Sequence, residues 1–435
     1  MDAGAADSEV AGVTGCPSNA AATAILLAVA ACDTAPAAVH TMHTDSAGIA
    51  IATVNTPLWG PGEGWTVDDD PLVEIGTVNG ASEYEFAQVV GAVRLSTGHI
   101  VVADRGASEL RGYDAEGRFL WRTGRPGEGP GEFGSLDFVG TMAGDSLVTF
   151  DNSLLRVQVF GPGGEMARTF PTALSLSGGQ PAGPVPDKAV AVVQGRLILR
   201  YLVLDGEMPT GIVRWPKERV VALDLTDGAT TSLLVLPGGE AEVHWRDNGG
   251  YSHGRYAFSN MPEYGATAGR LAVIDTEAYS VRIVSPMDGA IEQIVRREVA
   301  PGAVTDAVFD AHLNGIIEIA FPNPEDAPNE HVNGIRQMWR DFPRAPTLPV
   351  LRSVHVDTAG NLWVAPYYIA GAEPPPFEVH APDGTWLGSV ALPPGLERGF
   401  VQYQAPYMEI GGDYVLGVWT DELDVQYVRV YRLNK

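Results

Sequence analysis

The nine histidines and two cysteines are the residues of this chain best suited to holding a metal or attacking a substrate, and their spacing argues against both. The histidines stand at positions 40, 43, 99, 244, 253, 312, 331, 355 and 380, and only His40 and His43 are neighbours. No pair has the i, i+4 spacing that puts two imidazoles on one helix face for zinc, and no cysteine follows Cys32 to complete such a site. The Gly-rich segment Gly124–Gly131 lacks the Gly-Lys-Ser/Thr ending of a phosphate loop, and Pro126 and Pro130 remove N–H donors that a phosphate needs. Asp68–Asp70 and Glu325-Asp326 do not alternate around a turn glycine as calcium loops do, so they read as solvated acids. The expectation is therefore no catalytic constellation, no metal site and no cofactor.

What remains is recognition chemistry, and a repeat in the sequence says where it would gather. His99-Ile-Val-Val-Ala-Asp104, Glu109–Tyr113 and the turn at Gly117 are echoed by Ser146-Leu-Val-Thr-Phe-Asp151, Arg156–Phe160 and a turn at Gly164. Asp104 to Asp151 is 47 residues, and so is Gly117 to Gly164. Short β-rich runs between tight turns, repeating at one spacing, predict the four-stranded blades of a β-propeller, whose period is ~40 to 50 residues. Blades are expected at about 86–123, 136–170, around 196–224, at 270–289, at 354–384 and from Tyr407 onward, giving six in an all-β chain. Val304–Ala320 and about 332–339 carry apolar residues at helical spacing, which predicts a short helical insertion between blades four and five. Pro71–Gly76 is strand-like and is expected to close the ring by pairing with Tyr427–Arg432, since an unpaired sheet edge templates aggregation.

In a four-stranded meander the connections after strands two and four emerge at the same end. One face should then collect Arg105, Asn152, Tyr279, Tyr367, Tyr368, Asp421 and Glu422, joined by Arg125 of the inter-blade segment Arg125–Glu132. The long loop Glu240–Glu263 adds His253 and Arg255 beside Trp245 and Tyr256. These are the candidate ligand-binding residues, because loops held by a rigid scaffold are where recognition concentrates. Asp104, Asp151 and Asp275 recur where second strands end, and a short carboxylate there closes the turn by accepting backbone N–H bonds, so they read as scaffold.

Composition sets the outer limits. With 28 basic and 54 acidic residues the formal charge is -26, which opposes nucleic-acid binding. At 435 residues one radial repeat is favoured over several small cores. Residues 1–31 read as a signal peptide, with the apolar run Ala20–Ala31 too short to span a bilayer. It ends in Val29-Ala30-Ala31-Cys32, which resembles the lipobox of bacterial lipoproteins and implies lipidation of Cys32 and a membrane anchor. Asp2, Asp7 and Glu9, with no Lys or Arg in the first 19 residues, depart from that pattern. Residues 32–64 read as a tether whose removal should cost little stability, and 65–435 as the propeller.

Gly124-Arg-Pro-Gly-Glu-Gly-Pro-Gly-Glu-Phe133 resembles the inter-blade signature of six-bladed propellers related to the NHL repeat. With Asp357-Thr-Ala-Gly-Asn-Leu-Trp363, the span from about Trp65 to Leu433 resembles a family of exported bacterial propellers. That resemblance implies the fold and an exported, cell-envelope or periplasmic setting, and no reaction. Two functions stay open. One is a lipid-anchored binding or scaffold module for a peptide, glycan or envelope protein. The other is a lactonase-like hydrolase or lyase holding a divalent metal at the channel mouth, for which Asn152, Asp421 and Glu422 would be the ligands to test.

Overall fold

A computed structural model describes residues 40–172, 185–203, 210–245, 251–254, 257–267, 269–321, 329–341, 343–396, 408–421 and 425–435. The leader and Cys32 lie outside the described residues. The chain is a six-bladed β-propeller. Blade one runs Val89–Arg94, Ile100–Asp104, Glu109–Tyr113 and Phe119–Thr123, and blade two Leu136–Met142, Ser146–Asp151, Arg156–Phe160 and Met166–Pro171. Their sequences show why. Ile100–Asp104 is buried at every position because a middle strand packs on both neighbouring blades, whereas the outermost strand Met166–Pro171 is almost wholly exposed.

The recurring aspartates do what their position predicts. Asp104 accepts from the backbone N–H groups of Ala87, Gln88, Gly106 and Ala107, tying the chain entering blade one to the turn leaving its second strand. Asp151 repeats this with Gly134, Ser135 and Leu154, plus the Ser153 hydroxyl. Both carboxylates are buried, so each replaces water for donors that a tight turn would otherwise orphan. Asp275 departs from the pattern, since Arg214 from an inserted sheet takes its carboxylate at 2.5 Å.

Blade three, Pro186–Val193, Arg196–Val203, Lys217–Asp224 and Thr230–Leu236, is interrupted between its second and third strands. Gly211–Arg214 from that interruption pairs with Glu240–Trp245, which in turn pairs with Tyr251–Gly254, making a small extra sheet. Blade four is Pro262–Thr267, Arg270–Asp275, Ser280–Val284 and Ile291–Arg296. Helices α1 (Asp306–Ala320) and α2 (Asn329–Asp341) follow where helical periodicity placed them. The α1 start is capped by Thr305, whose hydroxyl oxygen accepts from Val308 N. Blade five is Leu351–Val356, Leu362–Pro366, Phe377–His380 and Trp386–Val390.

Blade six combines Glu409–Ile410, Tyr414–Thr420 and Gln426–Asn434 with Thr66–Ile75 from the other end of the chain. Ile75 pairs with Val428 and Val73 with Val430, so the expected closure is present, and its strand begins earlier than expected, at Thr66.

The tether expectation needs correction from His40 onward. Thr41–Ser46 and Ile49–Val54 form a hairpin, and its second strand runs parallel to Ile291–Arg296, widening blade four to six strands. Ala52 and Val54 are buried against Leu351, Val354 and Leu362 of blade five. Beyond the hairpin, Leu58 N and Trp59 N donate to the carbonyls of Trp386 and Leu387, and Trp59 packs on Trp65. The alternation in Ile49-Ala-Ile-Ala-Thr-Val54 was the strand signal, masked by the Pro/Gly-rich stretch that follows it.

Candidate binding face

The two ends of the blades differ sharply in what they carry. Connections between strands one and two and between strands three and four, such as 95–99, 143–145, 225–229 and 285–290, are all six residues or shorter. The opposite end receives the extra sheet, both helices and the segments 76–88, 124–135, 237–261 and 297–350. Among the described residues, these long connections between blades therefore gather at one end.

Part of that face is a packed cap. Phe309 and Leu313 of α1 pack with Ala257, Phe258 and Ala345, with Trp339 and Tyr367 at the margin. His312 Nδ1 accepts from Ala370 N at 3.0 Å, and a Cβ at Gly315 would lie 2.1 Å from Ala370 O. The helix crosses the blade-five loop so closely that only glycine fits at the crossing.

The candidate residues occupy different roles on this face. Arg105 forms an ion pair with Asp137, and its Nε donates to Leu136 O at 3.0 Å, joining blades one and two. Arg125 is exposed and paired with Glu132, whose other oxygen accepts from Gly129 N, so the pair closes the Gly-rich loop. Asn152 is partly buried, with its N–H bonded to Ser135 O. Tyr368 lies under the Arg352 guanidinium at 4.6 Å, while burial pushes the neighbouring Tyr367 hydroxyl up to about 12. Asp421 accepts from Val425 N and the Tyr427 hydroxyl, closing its turn as Asp104 and Asp151 do. His253 sits in the strand Tyr251–Gly254 of the extra sheet, whereas Arg255 and Glu422 lie outside the described residues.

Tyr279 does not open onto the face. It is 3% exposed, and its hydroxyl shares a 2.7 Å hydrogen bond with His380 Nε2 across the junction of blades four and five. The Arg297 guanidinium lies 4.4 Å from the Tyr279 ring and 4.5 Å from the Trp386 ring, and donates to Glu378 at 2.8 Å. Burial, reinforced by the Arg297 charge, depresses His380 to about 3, so the fold holds it neutral. An unfolded chain regains the ordinary value near 6.5. The unfolded state then binds the proton that the native state refuses, and stability is lost as pH falls from about 6.5 toward 3. At ~1.4 kcal/mol per pKa unit, wild type should lose on the order of 3 kcal/mol relative to His380→Gln by about pH 4. Chemical denaturation of both proteins across that range tests this, and a pH-independent difference between them would refute it.

A cavity of about 470 Å³ lies between the two ends of the loop singled out in the sequence and the connectors flanking the helices. Glu240 and Asn260 face Glu277-Ala278, Val299, Pro301 and Ala345–Leu348. Glu240 and Asn260 hold each other twice: Glu240 N donates to Asn260 O at 2.8 Å, and Asn260 N donates to the Glu240 carboxylate at 2.7 Å. The far wall is fixed by Val304 N to Pro346 O and Leu348 N to Gly302 O. Behind it, Arg214 bonds Gly238 O, Asp275 and Glu277, fastening the extra sheet to blade four. The Asn260 side-chain oxygen is buried with no hydrogen-bond partner.

Among the described residues, no three or more His, Cys, Asp or Glu side chains are placed to hold a metal ion. Gly250-Tyr-Ser252-His-Gly254 has the Gly-x-Ser-x-Gly spacing of a hydrolase nucleophile. Tyr251–Gly254 is an antiparallel strand paired with Glu242–Trp245, whereas a nucleophile elbow is a sharp strand-to-helix turn, so the match is one of spacing alone.

Fold and face together define a six-bladed propeller with one elaborated end. No protein-family model matches the chain. Among solved structures it is similar to a member of the DUF4221 family from Bacteroides vulgatus, at 10% identity and TM-score 0.48, covering 85% of this chain and 99% of that one. It is also similar to a protein of Bacteroides fragilis assigned as exported, at 10% identity and TM-score 0.43, covering 85% and 96%. The calcium-binding protein regucalcin from Agrobacterium tumefaciens is similar at 10% identity and TM-score 0.39, covering 85% and 95%. At these values the blade assignment rests on the strand pairing itself. A curated relative, N-(5'-phosphoribosyl)anthranilate isomerase from Nitrobacter hamburgensis, is 35% identical over 101 residues, and the chain spans 43% of its length.

Proposed function

We propose that the chain is an exported, lipid-anchored propeller of the NHL-related kind that binds a peptide, glycan or protein of the cell envelope through its elaborated face. The observation that carries this reading is the asymmetry of the two ends: long connections, two helices and an extra sheet stand on one face, against short turns on the other. A ring stabilised by blade contacts gains little from such additions, while recognition by scaffolded loops requires them. Export and anchoring are supported by the apolar run Ala20–Ala31 and by Cys32 after Val29-Ala-Ala.

The test places a photo-crosslinking residue in turn at Arg125, Glu128 and Tyr368 on the elaborated face, and at Thr97, Gly144 and Asp288 on the other, in intact cells. Adducts should form from the first set, and Cys32→Ser should move the protein out of the membrane fraction. Adducts confined to the second set would overturn the binding face. An unchanged membrane fraction would overturn the anchor.

A further inference from the structure

We infer that the rim between blades four and five is the side of the ring that lies against a lipid surface, so that the propeller stands on edge with both ends of its channel clear of the membrane. The inference rests on the lipid anchor proposed at Cys32, and it names the surface which that anchor brings to the bilayer. Cys32 and His40 are eight residues apart. Fully extended, that length of chain spans at most about 28 Å. From His40 onward the chain is fastened to the ring. His40 Nδ1 donates to Pro57 O at 3.0 Å, Trp386 N donates to Thr41 Oγ1 at 3.3 Å, and Thr385 Oγ1 shares a 3.4 Å hydrogen bond with His43 Nε2. Ile49–Val54 then pairs with Ile291–Arg296 of blade four. A lipid on Cys32 therefore holds the junction of blades four and five within about 28 Å of the bilayer.

Charge selects the posture within that reach. A membrane bearing anionic lipid attracts Lys and Arg and repels Asp and Glu. Both ends of the ring are acidic. Among the described residues, the four long segments at the elaborated end carry 12 acidic and 5 basic side chains. The short turns at the other end carry 9 acidic side chains and one basic one, that of Arg118. The stretch from His40 to Gly62, by contrast, has Asp45 as its one charged residue besides two histidines. Its strand Thr41–Ser46 is the open edge of a six-stranded sheet, and Met42 and Leu58 are each about half exposed. An edge with so little charge is open to pairing with other chains, and a lipid surface held beside it keeps them away. Lying flat would press one acidic end or the other onto the lipid, whereas standing on edge presents the near-neutral hairpin. Blade one, opposite blade four in a ring of six, is then the blade farthest from the bilayer.

The test is energy transfer from the lipidated protein, purified from cells, to a headgroup dye in vesicles of phosphatidylethanolamine and phosphatidylglycerol. Single cysteines carrying the donor dye replace Thr44 on the hairpin, Arg122 on the outer strand of blade one, Glu128 at the elaborated end and Thr97 at the other, all of them exposed. No cysteine follows Cys32, so each is the one free thiol once Cys32 carries lipid. Transfer should quench most of the emission at Thr44→Cys and little at Arg122→Cys, with Glu128→Cys and Thr97→Cys between them. A flexible Gly/Ser insert of about 30 residues between Ala38 and Val39, with a reach of roughly 30 Å, should bring the four values together. Melting curves report whether each labelled variant keeps its ring. Stronger quenching at Glu128→Cys or Thr97→Cys than at Thr44→Cys would put an end of the channel against the lipid and overturn the inference. Equal quenching at Thr44→Cys and Arg122→Cys without the insert would overturn it too, since the ring would then have no fixed posture. Mass spectrometry of the starting protein separates the two claims. With no lipid on Cys32 the anchor is wrong and this inference falls with it, whereas with lipid present and the order of quenching reversed, the posture alone falls.

Discussion

A chain beginning at Thr77 will not keep its ring closed. Thr66–Ile75 supplies the outer strand of blade six, where Ile75 is buried with Val428, Val430 and Val89, while Val67 and Trp65 pack beside Tyr431 and Leu433. Without that strand, Gln426–Asn434 has an unpaired edge and an uncovered apolar row, which is a template for aggregation. The truncated protein should aggregate or melt far below a chain beginning at Val39. A chain beginning at Thr56 should fall between them. It keeps the closing strand but loses the hairpin that buries Ala52 and Val54, worth on the order of 2–4 kcal/mol of apolar burial. Thermal melts of the three chains decide the matter. Equal melting temperatures would show that neither segment supports the ring, and an undisturbed chain beginning at Thr56 would restore the tether.

Replacing Asp151 with alanine should cost on the order of 2–4 kcal/mol, because three backbone N–H groups and the Ser153 hydroxyl lose one shared acceptor whose carboxylate is itself buried. Asp151→Asn keeps one acceptor oxygen but turns its amide toward a donor, so it should fall between wild type and alanine. Denaturant titrations with an unchanged m-value would read these losses directly. An alanine variant within about 1 kcal/mol of wild type would mean that the repeated aspartates are incidental to the turns.

Much of this architecture was legible because it is local or periodic. The 47-residue spacing located blades one and two, helical periodicity located α1 and α2, and β-like composition located the closing strand. The hairpin at Thr41–Val54 was hidden because its partner, Ile291–Arg296, is about 240 residues away and pairs with it in parallel, which no local pattern announces. Tyr279 was misleading for a related reason. Its place at a turn suggested exposure, yet its partner His380 lies 101 positions on, in the next blade. The loop Glu240–Glu263 was singled out for its aromatic and charged middle. The structure uses its two ends, Glu240 and Asn260, and completes the cavity with residues from three later connections. Such a site exists only after the blades have set those connections side by side.

The seam of the ring also fixes an order of events in the life of the chain. Glu74 meets Arg429 at a separation of 355 positions in the sequence. During synthesis the early strand must wait, unpaired, until the last blade has emerged. Contacts this remote in sequence are slow to form, because loop closure comes before any reward. Five blades can therefore assemble while the circle stays open, and resistance to unfolding arrives late and all at once, when Gln426–Asn434 slides between its two neighbours. Until that strand arrives the ring is open at one seam, and the pairing edge of Thr66–Ile75 has no partner.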